Sequence, residues 1–194
     1  MFESFANYLR EKAGVTDEEL KLLQNVAIEK RLRKRQYLLQ EGDVSHYNSF
    51  IVKGCLRLYR VGKDGTEYIL KFGIENWWMS DYESFNSGFP SKSNIDALED
   101  CELILIKKED FDHLFNTIPN LKNLRAKLDN RSFDASQNRI LSNISDTAEE
   151  KYSNFMKSYP DIYNRVPLHM IASFLGLSRE TLTRIRQKYT NRQP

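Results

Sequence analysis

The spacing of the apolar residues changes near Lys107, and this change constrains the possible fold more than any other feature of the chain. Before it, from Tyr37 to Ile106, short apolar runs are separated by turn residues such as Gly62-Lys63-Asp64-Gly65. Short strands with glycine-bearing turns at regular spacing are typical of a β-sandwich or barrel. After it, apolar residues recur at helical spacing. The sequence therefore predicts a strand-rich unit followed by helices.

Two parts of the strand-rich unit are predicted in more detail. Residues 55–61 and 66–70 flank the turn at Gly62 and should pair as a hairpin. Residues 103–106 are a run of Leu and Ile that should form a buried closing strand. Cys55 and Cys101 each lie in such an apolar run, so buried free thiols are favoured over a disulfide or a metal pair.

The N-terminal residues 1–29 are predicted to be helical, because Thr16 can cap a helix that carries Glu19 three residues later. A basic run, residues 30–35, follows and invites a nucleic-acid assignment. Leu32 within this run fits an exposed strand edge at least as well. We favour the strand-edge interpretation.

A long helix is predicted to begin at Pro119, which suits the first turn of a helix. Leu121, Leu124 and Leu128 have the spacing of a helix seam. A long helix with a narrow apolar stripe between two units is a candidate dimerisation element. The alternative is that this helix packs on its own domain.

Charge is distributed unevenly along the chain. The formal net charge is +2, but residues 165–194 carry +5, which leaves −3 on residues 1–164. Such polarity fits a polyanion bound at the C-terminal end. No stretch approaches the roughly 18 apolar residues of a membrane span, and the first residues, Met1-Phe2-Glu3-Ser4, lack the basic region followed by an apolar one that is typical of a targeting segment. A cytoplasmic protein is expected.

The most informative segment runs from Val166 to Lys188 and is predicted to form a helix, a turn and a second helix. Pro167 suits the start of the first helix, whose apolar residues fall on one face. Gly176 ends it, because glycine adopts the left-handed conformation that this corner needs. Ser178 can then accept hydrogen bonds from the first amides of the second helix.

One side of the second helix is predicted to pack against the first helix through Leu182, Ile185 and Tyr189, and the other side to carry the side chains that read bases. Arginine can donate two hydrogen bonds to guanine, and glutamate can accept one from the cytosine amino group. Lys188 and Arg192 are better placed to contact phosphates, which position a protein without specifying sequence. The expected DNA-binding residues are Ser178, Arg179, Glu180, Thr183, Arg184, Gln187 and Lys188.

The stretch from Ala172 to Ile185 resembles the DNA-reading helix-turn-helix of the Crp/Fnr family, in which Arg179, Glu180 and Arg184 match the base-contacting positions. Glu41-Gly42-Asp43, Gly54 and residues 97–103 resemble the cyclic-nucleotide-binding β-roll of the same family. The resemblance covers nearly the whole chain. It implies a bacterial, cytoplasmic homodimer that binds double-stranded DNA, with RNA polymerase as a further candidate partner.

The resemblance also implies a fold and a division of the chain. The fold is α+β: an N-terminal double-stranded β-helix (jelly-roll), a long dimerisation helix and a C-terminal helix-turn-helix. The expected domains are residues 1–118, 119–145 and 146–194. Family members usually carry a β-hairpin wing after the recognition helix, and here Pro194 follows that helix closely, so a helix-turn-helix lacking most or all of the wing is expected.

The effector pocket is where the sequence departs from the family. Its ligand cassette corresponds here to residues 77–94, in which Ser91-Lys92 replaces the expected Arg-Ser pair. Lysine lacks the bidentate fork of arginine, so cyclic AMP is not the expected ligand, and the pocket takes another small effector or none. The candidate effector-binding residues are Asp81, Glu83, Ser91, Lys92 and Ser93.

Other sensors and function classes are less well supported by the sequence. An iron-sulfur sensor needs about four cysteine ligands, and this chain has two. The histidines at 46, 113 and 169 do not have the spacing of metal ligands. The alternative to a DNA-binding regulator is a β-roll that binds an effector or a protein and whose C-terminal helices only pack. An enzyme is the remaining class, and no catalytic motif supports it.

Overall fold

The computed structural model describes residues 1–190. Two N-terminal helices, α1 (Phe2–Ala13) and α2 (Asp17–Val26), precede the strands. The strands are β1 (Ile28–Leu32), β2 (Tyr37–Leu39), β3 (Tyr47–Lys53), β4 (Leu56–Val61), β5 (Glu67–Gly73), β6 (Trp78–Met79), β7 (Asn94–Ala97) and β8 (Cys101–Lys107). A short helix, α3 (Tyr82–Ser87), lies between β6 and β7. The later helices are α4 (Lys108–Thr117), α5 (Pro119–Ser145), α6 (Ala148–Ser158), α7 (Pro160–Tyr163), α8 (Leu168–Leu175) and α9 (Arg179–Thr190).

The strands form two four-stranded sheets with the orders β1-β8-β3-β6 and β2-β7-β4-β5. All of their pairings are antiparallel. Buried aliphatic side chains such as Leu39, Ile51 and Leu103 fill the space between the sheets. The predicted hairpin is confirmed as β4–β5, and the predicted closing strand is confirmed as the buried β8. This β-roll followed by helices confirms the α+β prediction.

The N-terminal region is helical but in two pieces. Gly14 has φ 66° and ends α1, and the Thr16 hydroxyl and the Glu19 carboxylate form the predicted capping box at the start of α2. Residues 28 and 29 belong to β1, so the prediction of helix to residue 29 was wrong at its end. β1 is an edge strand with exposed Lys30 and Arg31, which confirms the strand-edge interpretation.

The long helix α5 begins at Pro119 as predicted, but its first half packs on its own chain. Leu121 is fully buried and Leu124 nearly so, in one cluster with Phe5 of α1 and Phe111 of α4. Leu128 is partly buried against the same cluster. Leu121 and Leu124 are therefore covered within their own chain, a packing by α1 that the sequence did not reveal, whereas Leu128 keeps part of its surface exposed.

The second half of α5 presents apolar side chains to solvent instead. Phe133, Ile140 and Ile144 are 63%, 54% and 80% exposed. They lie seven and then four residues apart, so they share one face of the helix. This exposed stripe is the apolar surface of α5 that a partner could cover.

The helices α6 to α9 form a unit that packs on the outer face of the sheet containing β4 and β5. Tyr59 and Phe72 of the sheet belong to the same buried cluster as Phe155 of α6 and Leu175 of α8. The β-roll and the C-terminal helices therefore share an apolar interface.

The two cysteines are free and buried, as predicted. They are also close together, with Cys101 Sγ 3.6 Å from the backbone oxygen of Cys55. Burial raises the pKa of Cys55 to about 12 and that of Cys101 to about 11. In the part of the chain described, residues 1–190, no cluster of three His, Cys, Asp or Glu side chains is arranged to hold a metal ion. Within the same residues, no helix has the length and apolar character to cross a bilayer.

Candidate functional site

The corner between α8 and α9 follows from its local sequence. Pro167 immediately precedes α8, and Gly176 follows it with φ 65° and ψ 33°. The Leu177 N–H donates to the Ala172 carbonyl at 2.9 Å, which closes the turn. Glycine is favoured here because residues that carry a side chain rarely adopt this left-handed backbone conformation.

The first turn of α9 is capped by Ser178, as its sequence predicts. The Thr181 N–H donates to the Ser178 hydroxyl oxygen at 3.1 Å. Leu182 and Ile185 are almost fully buried and pack α9 against the neighbouring helices. Tyr189, predicted on the same buried side, is 37% exposed and makes an edge contact with Tyr152, with the ring centroids 5.4 Å apart.

The opposite side of α9 brings the predicted base-reading side chains into one place. Arg179, Glu180, Thr183, Arg184 and Gln187 together line a shallow depression on the surface. All of them are exposed except Thr183, which is half-buried and whose hydroxyl donates to the Arg179 carbonyl at 2.8 Å. The arrangement offers two guanidinium groups, a carboxylate and an amide on one solvent-facing surface.

Glu180 is held in its charged form. Hydrogen bonds from its own backbone N–H and from the Ser178 hydroxyl lower the pKa of the Glu180 carboxyl below its ordinary value. A charged carboxylate can only accept hydrogen bonds, so it suits a donor such as an amino group.

Of the two predicted phosphate-contacting residues, Lys188 and Arg192, the structure describes Lys188. Lys188 is exposed, and its ammonium lies 3.6 Å from a carboxylate oxygen of Glu149 in α6. Arg192 lies outside the described residues, as does the segment to which the prediction about the wing refers.

The candidate effector residues lie in the segment from Asp81 to Ser93, but two of them bond to each other. Asp81 is buried, caps α3 by accepting the Glu83 N–H at 3.1 Å, and lies 2.5 Å from the Ser91 hydroxyl. The Ser91 oxygen also accepts the Ser93 N–H at 2.9 Å. These buried groups satisfy one another, so they hold the segment in shape.

The other candidates form a cluster at the surface. Glu83 lies 3.0 Å from the Arg60 guanidinium and 3.2 Å from the Lys92 ammonium. These contacts lower the pKa of the Glu83 carboxyl, and the hydrogen bond from Lys92 has the largest effect. Arg60 also donates to the Ser93 hydroxyl at 3.2 Å. Sequence reasoning missed Arg60, because its place in β4 is distant in sequence from the segment that it reaches.

Polar contacts link the C-terminal helices to the β-roll. Arg165 donates to Glu75 at 2.7 Å and also bonds to Glu99. The Ser173 hydroxyl of α8 accepts the Ile69 N–H at 3.0 Å and donates to the Glu67 carbonyl at 2.7 Å. The partners are far apart in sequence, so no local pattern could have identified them.

A buried arginine sits under the same interface. Arg57 of β4 lies 2.7 Å from Asp96 of β7, bonds to Glu67 of β5, and stacks 4.0 Å from the centre of the Tyr59 ring. Its guanidinium also contacts the Met170 sulfur of α8 at 3.9 Å. Because the charge is surrounded by carboxylates, it is compensated where it is buried.

Comparison with known proteins supports the assignment of the β-roll. Residues 29–117 match the family model of the cyclic nucleotide-binding domain. No curated protein sequence matches the chain.

Solved structures share the fold over most of the chain. FixK2 from Bradyrhizobium japonicum superposes with a TM-score of 0.74 at 20% identity, covering 86% of this chain and 85% of that one. A protein from Eubacterium rectale, described as a Crp/Fnr-family transcriptional regulator candidate, gives 0.72 at 17% identity and covers 95% and 88%. The c-di-GMP-responsive regulator CLP from Xanthomonas campestris gives 0.71 at 16% identity and covers 91% and 92%. At these identities the likeness establishes the fold.

Proposed function

We propose that this chain, which contains a cyclic nucleotide-binding domain and has the fold of Crp/Fnr transcription regulators, is itself a sequence-specific DNA-binding regulator. In this proposal α8 and α9 act as a helix-turn-helix, and α9 enters the major groove. The domains are residues 1–118, the long helix at 119–145 and the DNA-binding unit at 146–194. The protein acts on DNA in the bacterial cytoplasm and performs no catalysis.

The observation that carries this proposal is the outward face of α9. Its side chains are exposed, lie side by side, and are those that discriminate base edges: Arg179 and Arg184 for guanine, and Glu180 for the cytosine amino group. The buried Leu182 and Ile185 fix which face points outward. Thr183 and Gln187 extend the surface, and Lys188 supplies a nearby positive charge for a phosphate.

A homodimer is the form that this proposal requires. A single short recognition helix makes few base contacts, whereas two helices spaced about 34 Å apart read a two-fold-symmetric site. The exposed stripe of Phe133, Ile140 and Ile144 is the surface on which we place the second subunit. Leu121 and Leu124 then support the helix from within their own subunit.

Regulation by a small effector is the expected role of the β-roll. The Asp81–Ser91 contact and the Glu83–Lys92 ion pair occupy the polar groups that a cyclic nucleotide would need. We therefore expect an effector other than cyclic AMP. RNA polymerase is a further candidate partner once the protein is on DNA.

The proposal is tested by fluorescence anisotropy of a labelled random-sequence duplex titrated with the full chain. The titration is repeated between about 50 and 200 mM salt, a range over which the release of counterions lowers the affinity of a protein with several phosphate contacts by roughly 10³-fold or more. Affinity should fall steeply with salt. Affinity that is absent at the lowest salt would contradict DNA binding and favour a β-roll that binds an effector or a protein.

A further inference from the structure

A cavity of about 340 Å³ lies between the two sheets of the β-roll. Its apolar wall includes Leu39, Met79, Ile95 and Leu105. The register accounts for this wall, because Leu39 pairs with Ile95 in one sheet and Leu105 pairs with Ser49 in the other. The volume lies at the lower end of ligand pockets, roughly 300 to 1,000 Å³.

Serine hydroxyls face this apolar cavity without partners. Ser49 and Ser45 are 1% and 6% exposed, and both line the cavity together with the half-buried Ser80. Within residues 1–190 no hydrogen bond joins any of these three hydroxyls to another described residue, and none of them is a fully buried atom without a partner. The hydroxyls are therefore accessible from the cavity, where each can donate or accept a hydrogen bond. A bound molecule that enters the cavity would supply the partner.

The mouth of the cavity carries charge. Lys30 pairs in register with Leu103, so its side chain leaves β1 on the face that looks between the sheets. It is exposed, as are His46 and Asp43 at the same mouth. Among the residues that the structure describes, Lys30 forms no ion pair. A cation at the opening of an apolar cavity matches a ligand with an apolar body and an anionic end.

This cavity adjoins the Asp81–Ser93 segment, but the candidate polar side chains of that segment do not line it. Asp81, Glu83, Ser91 and Lys92 do not line it. The two are connected by Ser80, next to Asp81, by the Ser91 N–H, which donates to the Asp43 carbonyl at 2.8 Å, and by the Ser45 N–H, which donates to the Ser84 hydroxyl at 2.9 Å. A ligand in the cavity could therefore influence α3 through Ser80 and Ser45 without replacing the Asp81–Ser91 contact.

We propose that the cavity between the sheets is the effector site of this protein and that it binds a small amphipathic carboxylate. The apolar body lies against Leu39, Met79 and Leu105, the hydroxyls of Ser45 and Ser49 donate to the ligand, and Lys30 holds the carboxylate. Asp43 opposes that charge. That this ligand is an effector rests on the proposed regulatory function. That it binds in the cavity does not depend on that function.

The test is calorimetric titration of the full chain with octanoate and with phenylacetate, using octanamide as the uncharged match for octanoate. At least one of the two acids should bind. Octanamide should bind about tenfold more weakly than octanoate, because it lacks the charge that pairs with Lys30. Failure of both acids to bind the wild-type protein would overturn the proposal.

Variants locate the site. Lys30→Gln should weaken binding of the acid about tenfold, and Lys21→Gln, a matched loss of charge on α2, should leave it unchanged. Asp43→Asn should tighten it. Ser49→Ile fills the cavity and removes a hydroxyl, so it should abolish binding. Unchanged affinity in both Lys30→Gln and Ser49→Ile would overturn the proposal. If Ser49→Ile does not fold, Lys30→Gln decides alone, because Lys30 is exposed.

These titrations contain no DNA, so the two proposals fail separately. Acid binding by a protein that shows no DNA affinity would retain the cavity as a ligand site and remove the regulatory role. DNA binding by a protein that binds neither acid would retain the regulator and remove this ligand.

Discussion

The Arg165 guanidinium lies 2.7 Å from the Glu75 carboxylate and joins the segment that leads into α8 to the β-roll. The same arginine bonds to Glu99, and the Gly54 N–H donates to Glu75 at 2.7 Å. One arginine thus links two carboxylates of the β-roll that are far from it in sequence. This contact adds to the apolar cluster and the Ser173 hydrogen bonds that hold the α8–α9 unit on the sheet.

Removal of this link should loosen the interface. Arg165→Ala is expected to lower the free energy of unfolding by about 1 to 2 kcal/mol, because the partly exposed ion pairs are charge-assisted but screened by solvent. Urea denaturation measures the difference. Arg33→Ala, which removes an exposed arginine from the β1–β2 turn, is the control, and an equal effect of both variants would contradict the role of Arg165.

The pH dependence of the same link is predictable in sign. Burial raises the pKa of Glu75, but hydrogen bonds from Arg165 and from the Gly54 N–H lower it more, so the net pKa lies below the ordinary 4.5. A depressed carboxyl pKa stabilises the fold above the ordinary pKa and ceases to do so as pH falls through the folded value. The stability difference between wild type and Arg165→Ala should therefore be constant above pH 5 and shrink below about pH 4.5. A difference that grows in acid would refute this.

The roles assigned on α9 differ between two neighbouring cations. Arg184→Ala should cost roughly 1 to 3 kcal/mol on a cognate site and relax specificity there, whereas Lys188→Ala should weaken all sequences alike. Anisotropy on a cognate and a scrambled duplex measures both. Equal losses for the two variants on every duplex would be inconsistent with these roles.

The surface placed at the dimer interface is the exposed stripe on α5. Ile144→Glu should shift the protein from dimer to monomer, because it puts a charge into an apolar contact. Light scattering after gel filtration measures the mass. Asn138→Glu, on the face of α5 turned away from the stripe, should leave the dimer intact, and a wild-type monomer at micromolar concentration would reject this interface.

The buried cysteines should be unreactive. Burial raises their pKa to about 12 for Cys55 and about 11 for Cys101, so both remain protonated thiols at pH 8. A chromogenic disulfide reagent should therefore modify neither in the native protein and both after unfolding in urea. Rapid modification of the native protein would show that the thiols are accessible.

Local signals in the sequence predicted the elements well. The capping box of Thr16 and Glu19, the C-cap Gly176 and the N-cap Ser178 each bond to backbone groups within one helical turn. Their residue types are therefore sufficient to locate two helix starts and the corner between α8 and α9. The β4–β5 hairpin followed in the same way from its glycine-bearing turn.

What the sequence could not supply were contacts between distant segments. The spacing of Leu121 and Leu124 is the same whether they meet a second chain or α1, and only the packing of α1 decides this. The sequence around Arg60 and Arg165 does not indicate which carboxylates they pair with, because those carboxylates are distant in sequence. The cavity was missed for the same reason, because it is formed by side chains from both sheets.

The most direct test of the central claim is selection of bound duplexes from a random pool by the purified full chain at low salt. The account predicts enrichment of a two-fold-symmetric site whose half-sites are one helical turn apart, and loss of that enrichment in Arg184→Ala. Recovery of no preferred sequence by the wild-type protein would contradict sequence-specific recognition by α9.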